Sequence, residues 1–301
     1  MNGTRHADPA VHGFGFALGA YVLWGLMPLY IKAVSHIPPV DIVAYRVLFS
    51  VPVAGCVLLW LRRTADLKAA FRDPRTLLLA GLTATLIAMN WGIYTWAVVV
   101  DRTVETALGY YINPIVNIVL GAAFLGERFN KWQLIAIALA VAAVLVLTIH
   151  AGGPPWISLS LALTFGLYGF LRKTLPIGPS QGFFLEVLLL SIPSLIVLFF
   201  ASPTGGQYVW GGGFVGVLLV MAAGPFTAIP LILYAAGAKR LRYSTIGLMQ
   251  YIAPSLIFLV AVFVFREPFS AWQLLAFCLI WSALGIYSWS TLRAARGGVP
   301  A

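Results

Sequence analysis

The chain has 301 residues, of which 61% are hydrophobic and only 9% charged, and it carries a net charge of +10. A water-soluble domain has about 25% charged residues, so this chain has too few to cover a water-facing surface. Its mean hydropathy of +0.93 reads as a membrane protein and leaves no segment for a separate soluble domain.

A membrane span needs ~20 mostly apolar residues to cross ~30 Å of hydrocarbon. After the polar start "MNGTRHADPAVH", ten such runs follow, near 13–34, 40–61, 76–100, 103–125, 132–149, 156–174, 180–201, 213–237, 243–265 and 271–292. No cleavable signal peptide is read, because the first apolar run is long enough to span. The basic residues cluster in alternate loops. Loop 62–75 holds five, and Arg128/Lys131, Arg172/Lys173, Lys239/Arg240/Arg242 and Arg293/Arg296 follow, while "SHIPPVD", "HAGGPPW" and "SPTGGQYVWGGG" hold none. Lys and Arg favour short cytoplasmic loops, so ten spans place both termini (1–12 and 293–301) in the cytoplasm. The positive charge is thereby assigned to the membrane, not to nucleic acid. Cys56 and Cys278 fall inside spans, form no C-x-x-C pair, and are read as small buried apolar residues.

The spans repeat. At an offset of 140, residues 111–134 and 251–274 share eight identities: Tyr111/Tyr251, Ile112/Ile252, Pro114/Pro254, Glu127/Glu267, Phe129/Phe269, Trp132/Trp272, Gln133/Gln273 and Leu134/Leu274. At an offset of 141, Gly25 matches Gly166, Lys32 matches Lys173 and "LFSVP" (48–52) matches "LLSIP" (189–193). Each half, 13–150 and 155–292, therefore holds five spans. Because five is odd, the second half enters from the opposite side, an inverted repeat of the kind found in secondary transporters.

Proline leaves the carbonyl four residues earlier without a partner. Pro114 should free that of Tyr110 and Pro254 that of Gln250, and such breaks are tolerated where they are buried in protein or line a wet cavity. Asn113 and Asn117 are four apart and share a helix face, with Tyr110 near it. Asn90, Trp91 and Tyr94 form a similar stripe on span three, and Tyr234 matches Tyr94. Trp24 lies on span one, Tyr168 on span six, and Gln250 and Tyr251 beside the second proline. Together these read as the lining of a central cavity, with interhelical hydrogen bonding as the competing use of each residue.

Charges inside spans are functional suspects: Lys32, Arg46, Glu105 and Glu186. Arg46 lies ~9 Å in from the outer face and Glu186 ~9 Å in from the inner face at 1.5 Å per residue, too far apart to pair. The outer set, Lys32, Asp41, Asp101, Arg102 and Glu105, is expected to form an extracellular gate in which Arg46 pairs with Asp41 or Glu105. Glu186 belongs with Arg172 and Lys173. Glu127 and Glu267 each read as capping the next helix or stabilising its turn. Trp132, Trp156 and Trp272 read as interfacial anchors.

No G-x-x-x-x-G-K-[ST] loop, H-E-x-x-H or G-x-S-x-G occurs in the sequence, so ATP hydrolysis, zinc proteolysis and serine hydrolysis find no support and no cofactor is called for.

"GYYINPIVNIVLGAAFLGERFNKWQ", "STIGLMQYIAPSLIFLVAVFVFREPFSAWQLLAF", "AIPLILYAAGAKRLRYSTIG" and "YGFLRK" resemble the hallmark segments of RarD-type permeases, of the EamA branch of the drug/metabolite transporter superfamily. The resemblance covers about residues 13 to 292. It implies a bacterial inner-membrane permease of two EamA repeats, with a cavity lined mainly by helices one, three, four, six, eight and nine. In that group the second helix usually reads Glu then His-Arg. Here it reads Asp41 and Tyr45-Arg46, so a proton role of that histidine is not carried over. The expected fold is therefore an all-α membrane protein of ten helices in two inverted five-helix repeats around a central cavity. The expected function is secondary transport of a small organic solute, with a proton as possible coupling ion. The alternative is a non-transporting sensor or assembly protein on the same fold.

Overall fold

The structure, a computed structural model, describes residues 9–62, 64–125, 130–151, 153–202, 213–238, 240–241, 245–246 and 249–296. Glu127, Arg128, Lys239, Arg242 and the outermost parts of both tails lie outside them. All regular structure among the described residues is helical: α1 (Pro9–Gly25), α2 (Met27–Ala33), α3 (Pro39–Leu61), α4 (Ala65–Ala70), α5 (Pro74–Val99), α6 (Thr103–Leu125), α7 (Lys131–Ala151), α8 (Trp156–Thr174), α9 (Pro179–Ile196), α10 (Gly213–Ala238), α11 (Ile252–Leu259) and α12 (Ala271–Arg296). Eight helical stretches are long and apolar enough to cross a membrane, and Trp156–Arg172 and Ile252–Val264 are shorter apolar helices. The exposed shell carries Trp60, Leu78, Phe199, Phe200, Phe214 and Phe263. Such a surface is stable only against acyl chains, because water-facing apolar patches of this extent cost free energy.

The boundaries follow from local chemistry. Proline is tolerated in a first helical turn, where its missing N–H has no partner to lose. Prolines start α3, α5 and α9, and Pro28 restarts the chain as α2 after a break at Leu26. Asp73 caps α5 by accepting from the backbone N–H groups of Arg75 and Thr76. The Thr76 hydroxyl bonded to it holds the Asp73 carboxyl below the usual carboxylate range. That cap is therefore intact at neutral pH and weakens as acid protonates the carboxylate.

The repeated glutamines make capping boxes. Asn130 N donates to Gln133 Oε1 and Gln133 N to Asn130 Oδ1, each at 2.9 Å. In the second half Ser270 N donates to Gln273 Oε1 at 2.8 Å and Gln273 N to Ser270 Oγ at 3.2 Å. This frees Glu267 from the role expected of it. Its two carboxylate oxygens accept from Thr103 N at 2.8 Å and Val104 N at 2.9 Å, so it caps α6 in the other half of the chain. The N-terminus of α6 is the positive end of its dipole and suits a carboxylate.

Helix pairs pack as α1–α10, α1–α11, α3–α9, α3–α10, α5–α8, α5–α9, α6–α8, α6–α11 and α7–α12. Two glycines allow equivalent close approaches. A Cβ on Gly25 would meet the Leu256 side chain at 2.5 Å, and one on Gly166 would meet Val116 at 2.9 Å. The knobs Val116 and Leu256 are themselves 140 residues apart.

Three expectations are corrected. Cys56 and Cys278 are exposed: in a membrane protein the outside is apolar, so apolar residues need no interior site. Pro254 lies in the first turn of α11 while Pro114 lies inside an unbroken α6, so the two prolines do not break their helices alike. Loop 62–75 contains α4, whose Ala70 joins a small apolar cluster with Leu175 and Leu185.

Removing both carboxylate oxygens in Glu267→Ala strands two buried N–H groups, each worth ~1–3 kcal/mol. Thermal unfolding in detergent should fall clearly, with Glu267→Gln falling less. Gly25→Val and Gly166→Val should each cost ~1–3 kcal/mol by overpacking in the same assay, and a silent substitution at either position would contradict the close packing.

Candidate functional site

Arg46 lies on α3 and is only 4% exposed. Its Nε donates to Thr227 Oγ1 on α10 at 3.3 Å, and its guanidinium carbon sits 4.8 Å from the Trp91 ring centroid on α5. The ionisable groups that act on it are the hydroxyls of Tyr94, Tyr110 and Tyr30. Among the described residues no carboxylate pairs with it, and its Nη1 has no acceptor. Local sequence makes the junction. Gly224 lets α10 approach α3 so closely that an added Cβ would lie 2.1 Å from the Phe49 carbonyl oxygen. Thr227 sits between Pro225 and Pro230, and passes its own proton to the Ala223 carbonyl at 2.8 Å, leaving its oxygen free to accept from Arg46.

The buried polar groups of α5 and α6 are hydroxyls and amides. The Tyr94 hydroxyl and Asn113 Nδ2 are buried without a partner. Tyr94 and Tyr110 lie with ring centroids 5.8 Å apart. The Tyr110 hydroxyl donates to Asn90 Oδ1 at 3.0 Å, and Asn90 Nδ2 donates to the Leu161 carbonyl at 3.1 Å and Thr164 Oγ1 at 3.0 Å on α8. Asn117 Nδ2 donates to Asn113 Oδ1 at 2.9 Å. A buried ion costs several kcal/mol of desolvation. A desolvated cation–π contact returns about 2 kcal/mol and one charge-assisted hydrogen bond ~1.5–3, so the protein itself leaves Arg46 under-compensated.

The expected pairing of Arg46 with Asp41 or Glu105 is not what the side chains do. Glu105 accepts from Arg102 at 2.6 Å. Asp41 accepts from Ser202 at 2.6 Å; five residues from Arg46, it points about 140° around the helix from it. Lys32 pairs with Asp101 at 2.5 Å and lies over the Phe265 ring. Ser202 and Phe265 each follow a π-helical turn, Val197–Ala201 and Val260–Val264, a local widening often found at functional sites. The outer charges thus pair among themselves.

Toward the other end, Glu186 is 1% exposed. It accepts from Arg172 at 3.0 Å, Thr83 at 2.8 Å and Tyr168 at 3.2 Å. Arg172 also donates to the Pro179 carbonyl at 2.6 Å. This buried pair ties α5, α8 and α9 together.

The ten expected cavity residues therefore fall into groups. Tyr94 and Tyr110 lie near Arg46, and Asn90 joins them through the Tyr110 hydroxyl, while Asn113 and Asn117 bond to each other on α6. Tyr168 belongs to the Glu186 network. Trp24 and Tyr234 pack with Tyr21 in a separate aromatic cluster. Tyr251 stacks near Tyr111 at 6.4 Å, whose hydroxyl meets Ser255 Oγ at 2.5 Å; Gln250 is half-buried just before α11. A cleft of 670 Å³, lined by Arg102, Glu105, His150, Trp156 and Trp272 among others, opens near the outer ion pairs and not at Arg46. Sequence reading missed Thr83, Thr227 and Tyr30. The signal for Thr227 was a hydroxyl between two span prolines.

The comparisons agree on the family. A model of the EamA-like transporter family matches residues 12–149. The chain is 40% identical to the protein RarD of Streptomyces exfoliatus, covering 94% of this chain and 90% of that one. It is 40% identical to an uncharacterised Pseudomonas aeruginosa transporter, covering 94% and 95%, and 38% identical to Escherichia coli RarD, covering 91% and 93%. A solved crystal structure with 22% identity superposes on 96% of this chain and 98% of its own at a TM-score of 0.60, which shows a shared fold. With relatives this similar over almost their whole length, the chain belongs to the EamA-like transporter family, as a RarD-type member of the drug/metabolite transporter superfamily.

Proposed function

We propose that the protein is a secondary transporter that carries a small organic solute across the bacterial inner membrane by alternating access. The observation that carries this reading is Arg46: a cation buried where α3, α5 and α10 meet, with no acidic partner among the described residues. Intramembrane charges kept at such cost mark substrate pathways.

In this reading ten helices form two inverted halves, 13–150 and 155–292, with both termini cytoplasmic. Several observations support the symmetry. Gly25 receives Leu256 as Gly166 receives Val116. The capping boxes of α7 and α12 correspond. The pairings α1–α10 and α5–α8 exchange under the repeat, as do α1–α11 and α6–α8, and α3–α10 and α5–α9.

The outer gate consists of Lys32–Asp101, Arg102–Glu105 and Asp41–Ser202, joined to the second half through the π turns. The inner gate is Arg172–Glu186 with Thr83 and Tyr168. One half rocks against the other around the midplane, with Arg46 and Asn113 between the gates. Glu186 is the carboxylate best placed to couple proton movement to the inner gate, since protonation would release Arg172.

Alternating access is tested without knowing the solute. A cysteine at Asn113, in a background lacking Cys56 and Cys278, should react with impermeant maleimide from each side of oriented vesicles. Reactivity from neither side would contradict transport and favour the sensor or assembly reading. Glu186→Gln should raise labelling of that cysteine from the cytoplasmic side severalfold; unchanged labelling removes the inner gate.

A further inference from the structure

We propose that the solute is an organic monoanion, a carboxylate on a flat apolar body, and that Arg46 is the residue that binds its charged head; this rests on the transport reading. Four cations are carried inward on or beside the helices: Lys32, Arg46, Arg102 and Arg172. Three of them hold a carboxylate of the protein, and Arg46 alone among these four does not. A guanidinium has five N–H donors in a planar fork that fits a carboxylate with two parallel bonds. Of these donors Nε is committed to Thr227, while Nη1 is buried and unanswered.

The neighbours point the same way. The Tyr94 hydroxyl on α5, near the guanidinium, is buried without a partner and can donate to a bound anion. A site with a cation lacking a carboxylate and an unanswered hydroxyl beside it favours an acceptor-rich anion. An ammonium group would meet a like charge there; Glu105 is engaged with Arg102, and Asp41, which gives one oxygen to Ser202 and leaves the other unanswered, lies about 140° around α3 from Arg46. A dianion such as a phosphate monoester would need a second cation, and those nearby are already paired. The walls set the body of the ligand. Trp91 lies under the guanidinium, Tyr94 and Tyr110 form a ring pair, and Phe165 meets Tyr110 edge-on at 5.8 Å. Rings of this kind favour a planar, apolar partner over a sugar or a peptide.

The closing of the site is part of the argument. Arg46 and Tyr94 are each 4% exposed, so an anion held there leaves water entirely. That is the setting in which a paired carboxylate and guanidinium attract most strongly.

The test uses the purified full chain in detergent and three probes, benzoate, 3-phenylpropionate and indole-3-acetate, each beside its amide and the amine of matching skeleton. At least one carboxylate should raise the melting temperature of the wild type, and its amide and amine should bind at least about tenfold more weakly. Arg46→Gln should abolish the carboxylate shift and Arg46→Lys should weaken it by about tenfold. Without ligand, Arg46→Met should melt no lower than wild type, because it removes an unpaired buried charge; a purely structural arginine would lower it. The proposal is overturned if no carboxylate of the panel binds, if an amine binds as well, or if binding survives Arg46→Gln. Counterflow of the bound probe in proteoliposomes reads the transport claim separately. A carboxylate that binds through Arg46 without crossing keeps the anion site and removes transport. A neutral amide that crosses when the carboxylate does not keeps transport and overturns the anion site.

Discussion

A guanidinium held out of water with no carboxylate beside it is the constraint on which the rest of this structure turns. Protein interiors hold charges only when they are paired, hydrogen-bonded or functionally required. Arg46 has a single hydrogen bond and an indole face. Among the described residues, the titratable groups near it are the phenol hydroxyls of Tyr30, Tyr94 and Tyr110, polar without being carboxylates. The bundle keeps carboxylates elsewhere: Asp41 turned toward Ser202, Glu105 on Arg102, and Glu186 on Arg172. The charge is thus insulated from neutralisation by its own chain, which leaves it available to a solute.

Around that charge the helices are held by contacts that cross between the two halves of the chain. Glu267, in the loop before α12, caps α6. Gly25 and Gly166 accept side chains from α11 and α6. Thr227 on α10 reaches Arg46 on α3. Such contacts are local and discrete, which suits the proposed rocking of one half against the other. The ion pairs at the two ends differ in character. The outer pairs are part-exposed and weak by nature. The pair at the other end is buried with Glu186 1% exposed, and under the proposed mechanism its opening needs water or a proton to replace Arg172.

Much of this was legible in the sequence because membranes restrict the choices. Hydropathy located eight stretches that are long and apolar enough to span and two shorter apolar helices, and the offset of 140 residues matched prolines, tryptophans and glutamines in the sequence. The site was legible only in part. Asn90, Tyr94 and Tyr110 were picked out by spacing, and they do cluster. The partner of Arg46 was misjudged because linear depth puts Asp41 and Arg46 in the same layer, while helical phase turns them to different neighbours. The role of Glu267 was missed for a related reason. A carboxylate near a helix start suggests a local cap, but Ser270 and Gln273 had already satisfied that end. Thr83 carried no pattern, since a threonine in an apolar span usually bonds its own helix, and the two prolines flanking Thr227 marked the position without naming its partner. Only the crossing of α3 with α10 shows that Thr227 also serves a neighbour.

The isolation of Arg46 is most directly measured by a double-mutant cycle. Unfolding free energies of the wild type, Arg46→Met, Asp41→Asn and the double variant, in one detergent, report the coupling between the guanidinium and the carboxylate on its own helix. An isolated Arg46 predicts additivity within about 0.5 kcal/mol. A coupling of ~1–3 kcal/mol would show that Asp41 neutralises the arginine, and the central charge would then belong to the scaffold and not to a solute.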